Sequence, residues 1–273
     1  MTTTARIRRA ARIARATSRA GLRERLANKG DFALAIVNGV TYQITVLLFA
    51  TVVFTRFPPL AGWTVGQVLL VSSVRLLAHS VFVLGFTNIR EIPYLIRQGR
   101  FDSFLVRPAS VFLQVCTSRF PLNAVGDLTV AATSLGVCLS MLRLDWTVAR
   151  VGSLVLAVAS GATLELALAL CVAGIVLRRA GTEALFSWLD TVIGAFGNYP
   201  LNVFPTVLRA AFTFALPVAF VAFYPMAAVL GKAESVPYGP ALTLMAPLVA
   251  AVWLAVGGWA WRTGLRTYAR RGW

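Results

Sequence analysis

Residues 88–110 read NIREIPYLIRQGRFDSFLVRPAS, and this stretch decides how the rest of the chain is parsed. It is the long polar interruption between two strongly apolar blocks in the first half of the sequence. Arg90, Glu91, Arg97, Arg100, Asp102 and Arg107 are punctuated by Pro93, Gly99 and Pro108. On both sides the sequence has the apolarity and length of membrane-crossing helices. Glu91, Tyr94, Leu95 and Gln98 recur at helical spacing, with Pro93 suited to a first turn. Asp102 and Arg107 flank Phe104 and Leu105. A charged loop with its own short amphipathic helix and exposed apolar residues, set between two spans, is expected to be a docking surface for a soluble partner. The plainer alternative is a solvated charged face.

Working outward, the hydrophobic fraction of 58% exceeds that of an ordinary soluble domain. The formal charge of +16 points at first to nucleic acid. The arginines cluster at the N-terminus, the 88–110 loop and the C-terminus, beside the apolar runs, which is the positive-inside pattern and not a phosphate groove. Nucleic acid is therefore excluded as a partner. Cys116, Cys138 and Cys171 lie in or beside apolar runs without CxxC spacing, so they are read as packed thiols. One histidine excludes a histidine-cluster metal site. The near-exclusive use of arginine over lysine fits a GC-rich bacterial genome and, with the spans, a bacterial inner (plasma) membrane.

The expected fold is an all-α integral membrane protein with six transmembrane helices, at about 32–55, 66–86, 120–141, 151–177, 185–204 and 240–261. Residues 1–30 form a basic amphipathic lead, and residues 31–273 a single membrane domain. In the lead, Ile7, Ala11, Ala14, Leu22 and Leu26 share one face; Arg8, Arg12, Arg15, Arg19 and Arg23 cover another. This is an interfacial helix on an anionic leaflet, the alternative being an arginine-rich targeting peptide. Trp63, Trp146, Trp259 and Trp261 fall near span ends, where amphipathic rings sit.

Between residues 181 and 239 the apolar pattern is broken by Pro200, Pro205, Pro217, Pro225 and Pro237. Parity settles the path. With both termini cytoplasmic, spans 1 to 4 return the chain inside at Arg178–Arg179, so the next stretch must cross a net odd number of times. One span followed by a re-entrant helical hairpin at about 207–230 satisfies this, provided the broken backbone is covered by protein. About twenty basic residues then lie inside, and only Arg56, Arg143, Arg150 and Lys232 outside.

Glu165 is the least expected side chain, a carboxylate in mid-span that must be paired, protonated or turned to a cavity. Arg75 and His79, four apart on span 2, offer partners. An Arg75–Glu165 pair joining spans 2 and 4 is one reading; a proton or cation-substrate site is the other. Asn38, Tyr42 and Thr45 form a polar stripe on span 1, either a transport path or interhelical glue. Phe212, Phe214, Phe220 and Phe223, with Pro217, are candidates for an outer gate that excludes water, or for ordinary packing. Asp190 and Asp127 read as isolated carboxylates. No catalytic constellation, Walker A motif, G-x-S-x-G or H-E-x-x-H occurs, so no catalytic residue and no cofactor is assigned to this chain.

The segment IRQGRFDSFLVRPASVFLQV resembles the G-x-[LF]-D-x-[LF]-L-x-[RK]-P signature of ABC-2 (type-2 ABC exporter) permeases. It is closest to the six-span branch often encoded as a permease pair beside one ATPase. Gly99, Phe101, Asp102, Phe104, Leu105, Arg107 and Pro108 occupy the matching positions. The late run YPLNVFP…FTFALPVAFVAFYP is similar to that branch as well, with Pro205, Pro217 and Tyr224–Pro225 in place. The resemblance implies a permease subunit of an ATP-driven exporter. It implies two copies of an ATP-binding subunit, carrying ATP and magnesium, and a second permease, a paralogue before an identical copy. The loop would be a coupling helix contacting the ATPase through Glu91, Tyr94, Arg97, Arg100, Asp102 and Arg107. The N-terminal helix would be an interfacial elbow, bound to membrane lipid. The substrate would be an amphipathic drug, antibiotic, peptide or lipid. An ion-coupled secondary transporter using Glu165, or a membrane assembly protein without transport, stands as the alternative.

Overall fold

The computed structural model describes residues 29–56, 62–121, 123–142, 144–179 and 181–270. The expected interfacial helix at 1–30 lies almost wholly outside them. Helices α1 (Lys29–Arg56), α2 (Val65–Phe86), α3 (Ile92–Arg97), α4 (Asp102–Leu105), α5 (Val111–Cys116), α6 (Asn123–Met141), α7 (Val148–Val176), α8 (Ala184–Phe196), α9 (Thr206–Ala210), α10 (Phe223–Val229) and α11 (Ala246–Arg270) succeed one another, with short 3-10 or π turns between several of them. No strand occurs among the described residues. The regular structure of the described residues is all-helical. Among the described residues four helical stretches are long and apolar enough to cross a membrane, Val65–Arg97, Asn123–Met141, Val148–Val176 and Ala246–Arg270, and a bent pair makes a fifth if counted as one span. The first expected span falls on α1, a helix of 28 residues.

Local chemistry explains where these elements begin and end. Thr64 and Gln67 close a capping box that starts α2. Thr147 accepts from the Arg150 amide to start α7. The loop at 88–110 does not carry a detached helix. α2 runs on through the 3-10 turn Thr87–Glu91 into α3, so that Val65–Arg97 is one rod of 33 residues. Burial of Ile89, Ile92 and Leu95 holds this extension against the body despite the charges between them. The rod stops at Gly99, whose φ of +65° suits a residue without Cβ; the Arg100 amide closes back on the Leu95 carbonyl at 2.9 Å.

The helix expected at 185–204 is shorter than that range. α8 has 13 residues, about 20 Å of helix, against a hydrocarbon core of about 30 Å. It ends at Gly197, and Pro200 restrains the residue before it from continuing. The last span is displaced as well. Residues 240–244 form a 3-10 turn, and α11 begins at Ala246 with Pro247 in its first turn and continues nine residues past Trp261.

The expected hairpin corresponds to Thr206–Ala215 and Val218–Val229, bent by 74° at Leu216–Pro217. Leu216 is extended and Pro217 has no amide hydrogen, so the helix cannot continue through them. The hairpin sits where α2 begins: Phe223 packs on Trp63 at 5.5 Å, and Lys232 donates to the Gly62 carbonyl at 2.5 Å. Trp63, expected at an interface, is instead buried. The 88–110 loop lies at the opposite end of the same rod.

α11 lies along α7 at backbone contact. A Cβ at Gly257 would strike the Ala167 carbonyl, one at Gly174 the Ala260 carbonyl, and one at Gly264 the Gly174 carbonyl. Small residues that let backbones meet are the usual adhesive between helices in lipid, where apolar burial drives little.

Candidate functional site

At the loop end, one buried ring organises the charges around it. Phe101 is fully enclosed, with Tyr268 of α11 edge-on at 5.2 Å and Phe104 edge-on at 6.3 Å. The Tyr268 hydroxyl donates to Asp102 Oδ1 at 2.9 Å. Gln114 donates to the carbonyls of Phe104 and Ala109, both at 3.0 Å, and Asn88 to those of Cys116 and Arg119, both at 2.7 Å. Phe86, Phe112 and Trp261 continue the packing from the end of α2 to α11. The loop is therefore a built platform, fixed by side-chain bonds to its own carbonyls.

Its outer face carries Tyr94, Arg97, Arg100, Val106 and Arg107, all exposed, while Glu91 and Asp102 are half-buried. Arg107 lies over the Phe104 ring and Arg119 over Tyr94. Arg97 also meets Glu183 at the start of α8, at 3.0 Å. Four of the six predicted contact residues thus have partners within the subunit: Arg97 an ion pair, Asp102 a hydrogen bond, and Tyr94 and Arg107 cation–ring contacts. Sequence reasoning missed Tyr268, which has no motif around it. Its spacing of two residues from Arg266 and Arg270 made it look like part of a basic tail.

The predicted intramembrane group does come together, with a different pairing. Glu165, 1% exposed, is met by His79, whose Nδ1 stands 2.7 Å from Oε2. Arg75 was the first-named partner. It is just as buried, yet its Nε and Nη1 find no acceptor among the described residues. Glu165 Oε1 is unpartnered as well. Asp190 is not isolated. Its Oδ1 stands 2.6 Å from Arg90 Nη2, an ion pair whose approach lacks hydrogen-bond alignment, and Arg90 also lies over the Phe82 ring at 4.8 Å. Asp127 is buried on α6 and is not without a partner. At the end of α8, Ser72 donates to the Asn198 carbonyl at 2.7 Å. The α2 rod thus carries Arg97, Arg90, His79 and Ser72 against α8, α8, α7 and the turn after α8.

The other candidates divide. Asn38 and Thr45 are exposed on α1, the Thr45 hydroxyl turning back to the Thr41 carbonyl at 2.8 Å; the Tyr42 side chain lies outside the described residues. In the hairpin, Phe212, Phe220 and Phe223 are buried, against Phe196 and Phe204, Tyr224, and Trp63 respectively. Phe214 is exposed, edge-on to Tyr238 beside Pro217. Tyr224 ties the hairpin arms, sharing a hydrogen bond with Thr213 at 3.0 Å and donating to the Pro237 carbonyl at 3.3 Å. No group of three or more His, Cys, Asp or Glu able to hold a metal occurs among the described residues.

Helices of crossing length, a basic platform at one end and a bent helical pair at the other define a multi-pass membrane protein with two specialised ends. The family described as ABC-2 family transporter protein matches residues 40–272, most of the chain, and the chain belongs to that family. Comparison with curated proteins and with solved structures gives no match. Membership makes this chain a transmembrane permease component, of a kind that typically pairs with ATP-binding subunits.

Proposed function

We propose that the chain is the permease subunit of an ATP-driven exporter and forms half of the translocation path for an amphipathic substrate. Two copies of an ATP-binding subunit dock beneath the 88–110 platform, holding ATP and magnesium, and a second permease, a paralogue before an identical copy, completes the path. The single observation that carries this reading is the platform itself. Exposed arginines and apolar side chains are mounted on a braced base at one end of a 33-residue rod. Such a surface suits a soluble partner that must push without deforming what it pushes on.

Six crossings and cytoplasmic termini belong to this reading. Arg97 meets the start of α8 and Ser72 the turn after its end, so residues 183–198 run alongside most of α2. That supports a fifth crossing in spite of the short helix, with the bent pair as a re-entrant hairpin at the outer end. The exposed Asn38 and Thr45 face away from the subunit, where a second permease would meet them. ATP-driven closure of the partner dimer acts by binding the platform differently in its open and closed states.

The test is co-purification: tag the chain, solubilise it gently from its native membrane, and identify what accompanies it. A stoichiometric Walker-containing ATPase supports the proposal. A homomer that moves substrate on a pH gradient without ATPase sinks it and favours the ion-coupled alternative. The specific observation behind that alternative is a titratable His79–Glu165 couple inside the membrane region.

A further inference from the structure

We infer that Tyr268 is the positioning residue through which motion of the 88–110 platform reaches the hairpin end, with α11 as the rod that carries it. This rests on the reading that an ATP-binding subunit docks on the platform. Two rods leave the platform, α2 by direct chain continuity and α11 through Tyr268 and the Phe112–Trp261 ring contact. The α2 rod is fastened along its length. Its apolar window is 67% buried, and His79–Glu165, Arg90–Asp190 and Ser72–Asn198 fasten it to α7, α8 and the turn that follows α8.

Along its apolar stretch α11 is 22% buried, and it meets α7 at backbone contact through Gly174, Gly257 and Gly264, with Arg178 just past α7 donating to Thr263. At one end it holds the platform through the Tyr268–Asp102 hydrogen bond and the Tyr268–Phe101 ring contact. Its 25 residues cover about 37 Å. At the other end Ala246 and Pro247 share one crevice with Thr243, Pro225 and Ala228, the last two from α10 of the bent pair. A displacement of Asp102 is therefore passed to α11, whose far end touches the hairpin. Tyr268 reaches the proposed partner face through Asp102, so its part is positional.

The experiment uses the subunit with its co-purified ATPase in native-lipid vesicles. The three native cysteines are replaced by alanine, and Leu244→Cys, at an exposed site beside the crevice, reports hairpin-end accessibility to a maleimide with and without ATP and vanadate. A several-fold, nucleotide-dependent change in labelling is expected in that background. The change is expected to vanish in Tyr268→Phe, which keeps the ring but not the donor, and in Tyr268→Leu, while the ATPase still co-purifies. A full nucleotide response in both Tyr268 variants overturns the inference and leaves the exporter reading standing. Absence of any ATPase from the preparation overturns the exporter reading, and this inference with it.

Discussion

His79 Nδ1 stands 2.7 Å from Glu165 Oε2, and this contact joins α2 to α7 where both helices are most deeply enclosed. Breaking a buried pair from one side strands the other group, at a cost of about 3–5 kcal/mol, whereas replacing both with apolar residues is often neutral. His79→Ala should therefore lower the thermal midpoint of the solubilised protein sharply. His79→Leu combined with Glu165→Leu should recover most of the loss. A His79→Ala protein that melts with the wild type would show that the contact contributes nothing.

Arg75 supplies a second prediction from the same group. It shares a helical face with His79, and its Nε and Nη1 lack acceptors while Glu165 Oε1 lacks a donor. When His79 is removed, Arg75 is the cation placed to take over Glu165. Arg75→Gln should cost little in the wild-type background and more in His79→Ala, with a non-additivity of about 0.5–3 kcal/mol. Strict additivity of the two unfolding midpoints would rule out the shared acceptor.

These pairings mark where sequence reading stops. A carboxylate within an apolar run announces that Glu165 needs a partner, but the choice between Arg75 and His79 depends on how α2 is rotated. Arg90 and Asp190 are a hundred residues apart, and no local pattern links them. α6, α7 and α11 were legible as helices because each holds a long, mostly apolar stretch. The far end of the fifth helix was misplaced because hydropathy counts composition, whereas Gly197 and Pro200 stop the helix whatever its apolarity. The 88–110 stretch was legible as a surface, since its charges and Pro-Gly punctuation are local. That α2 runs straight into it was not, because continuity there comes from burying Ile89, Ile92 and Leu95.

Cys116 sits beneath the platform in α5, and burial pushes its thiol up from 9.0 to about 12. Its native value is raised, so the folded state keeps its proton where the unfolded state has released it. The associated stability is complete below pH 9 and is lost as pH rises toward about 12. Alkylation of Cys116 at pH 8 should accordingly be slow in the folded protein and fast once the chain is unfolded in denaturant. Rapid folded-state labelling, located by peptide mass mapping, would contradict this burial.

Adjacent glycines on α11 give a controlled comparison. A Cβ at Gly257 would collide with the Ala167 carbonyl and stand 3.1 Å from Leu170 Cβ, whereas one at Gly258 meets nothing within 4 Å. Gly257→Ala should separate α11 from α7 and cost about 1–3 kcal/mol by overpacking. Gly258→Ala should be neutral or mildly stabilising, since alanine is the better helix former. Equal thermal midpoints for the two variants would mean that the helices do not meet as closely as described.

The platform arginines separate docking from folding. Arg97 and Glu183 are both largely exposed, and a pair of that kind contributes about 0–1 kcal/mol; Arg100 and Arg107 are exposed without an ion pair to any described residue. Arg97→Ala, Arg100→Ala and Arg107→Ala should thus each leave the unfolding midpoint within about 1 kcal/mol of wild type. Together they should strip the ATP-binding subunit from the purified complex, because they remove charge from the face that would receive it. Quantifying the ATPase recovered per permease, with the thermal midpoint measured on the same preparation, separates the two effects. A triple variant that retains its partner at wild-type stoichiometry would show that docking uses another surface.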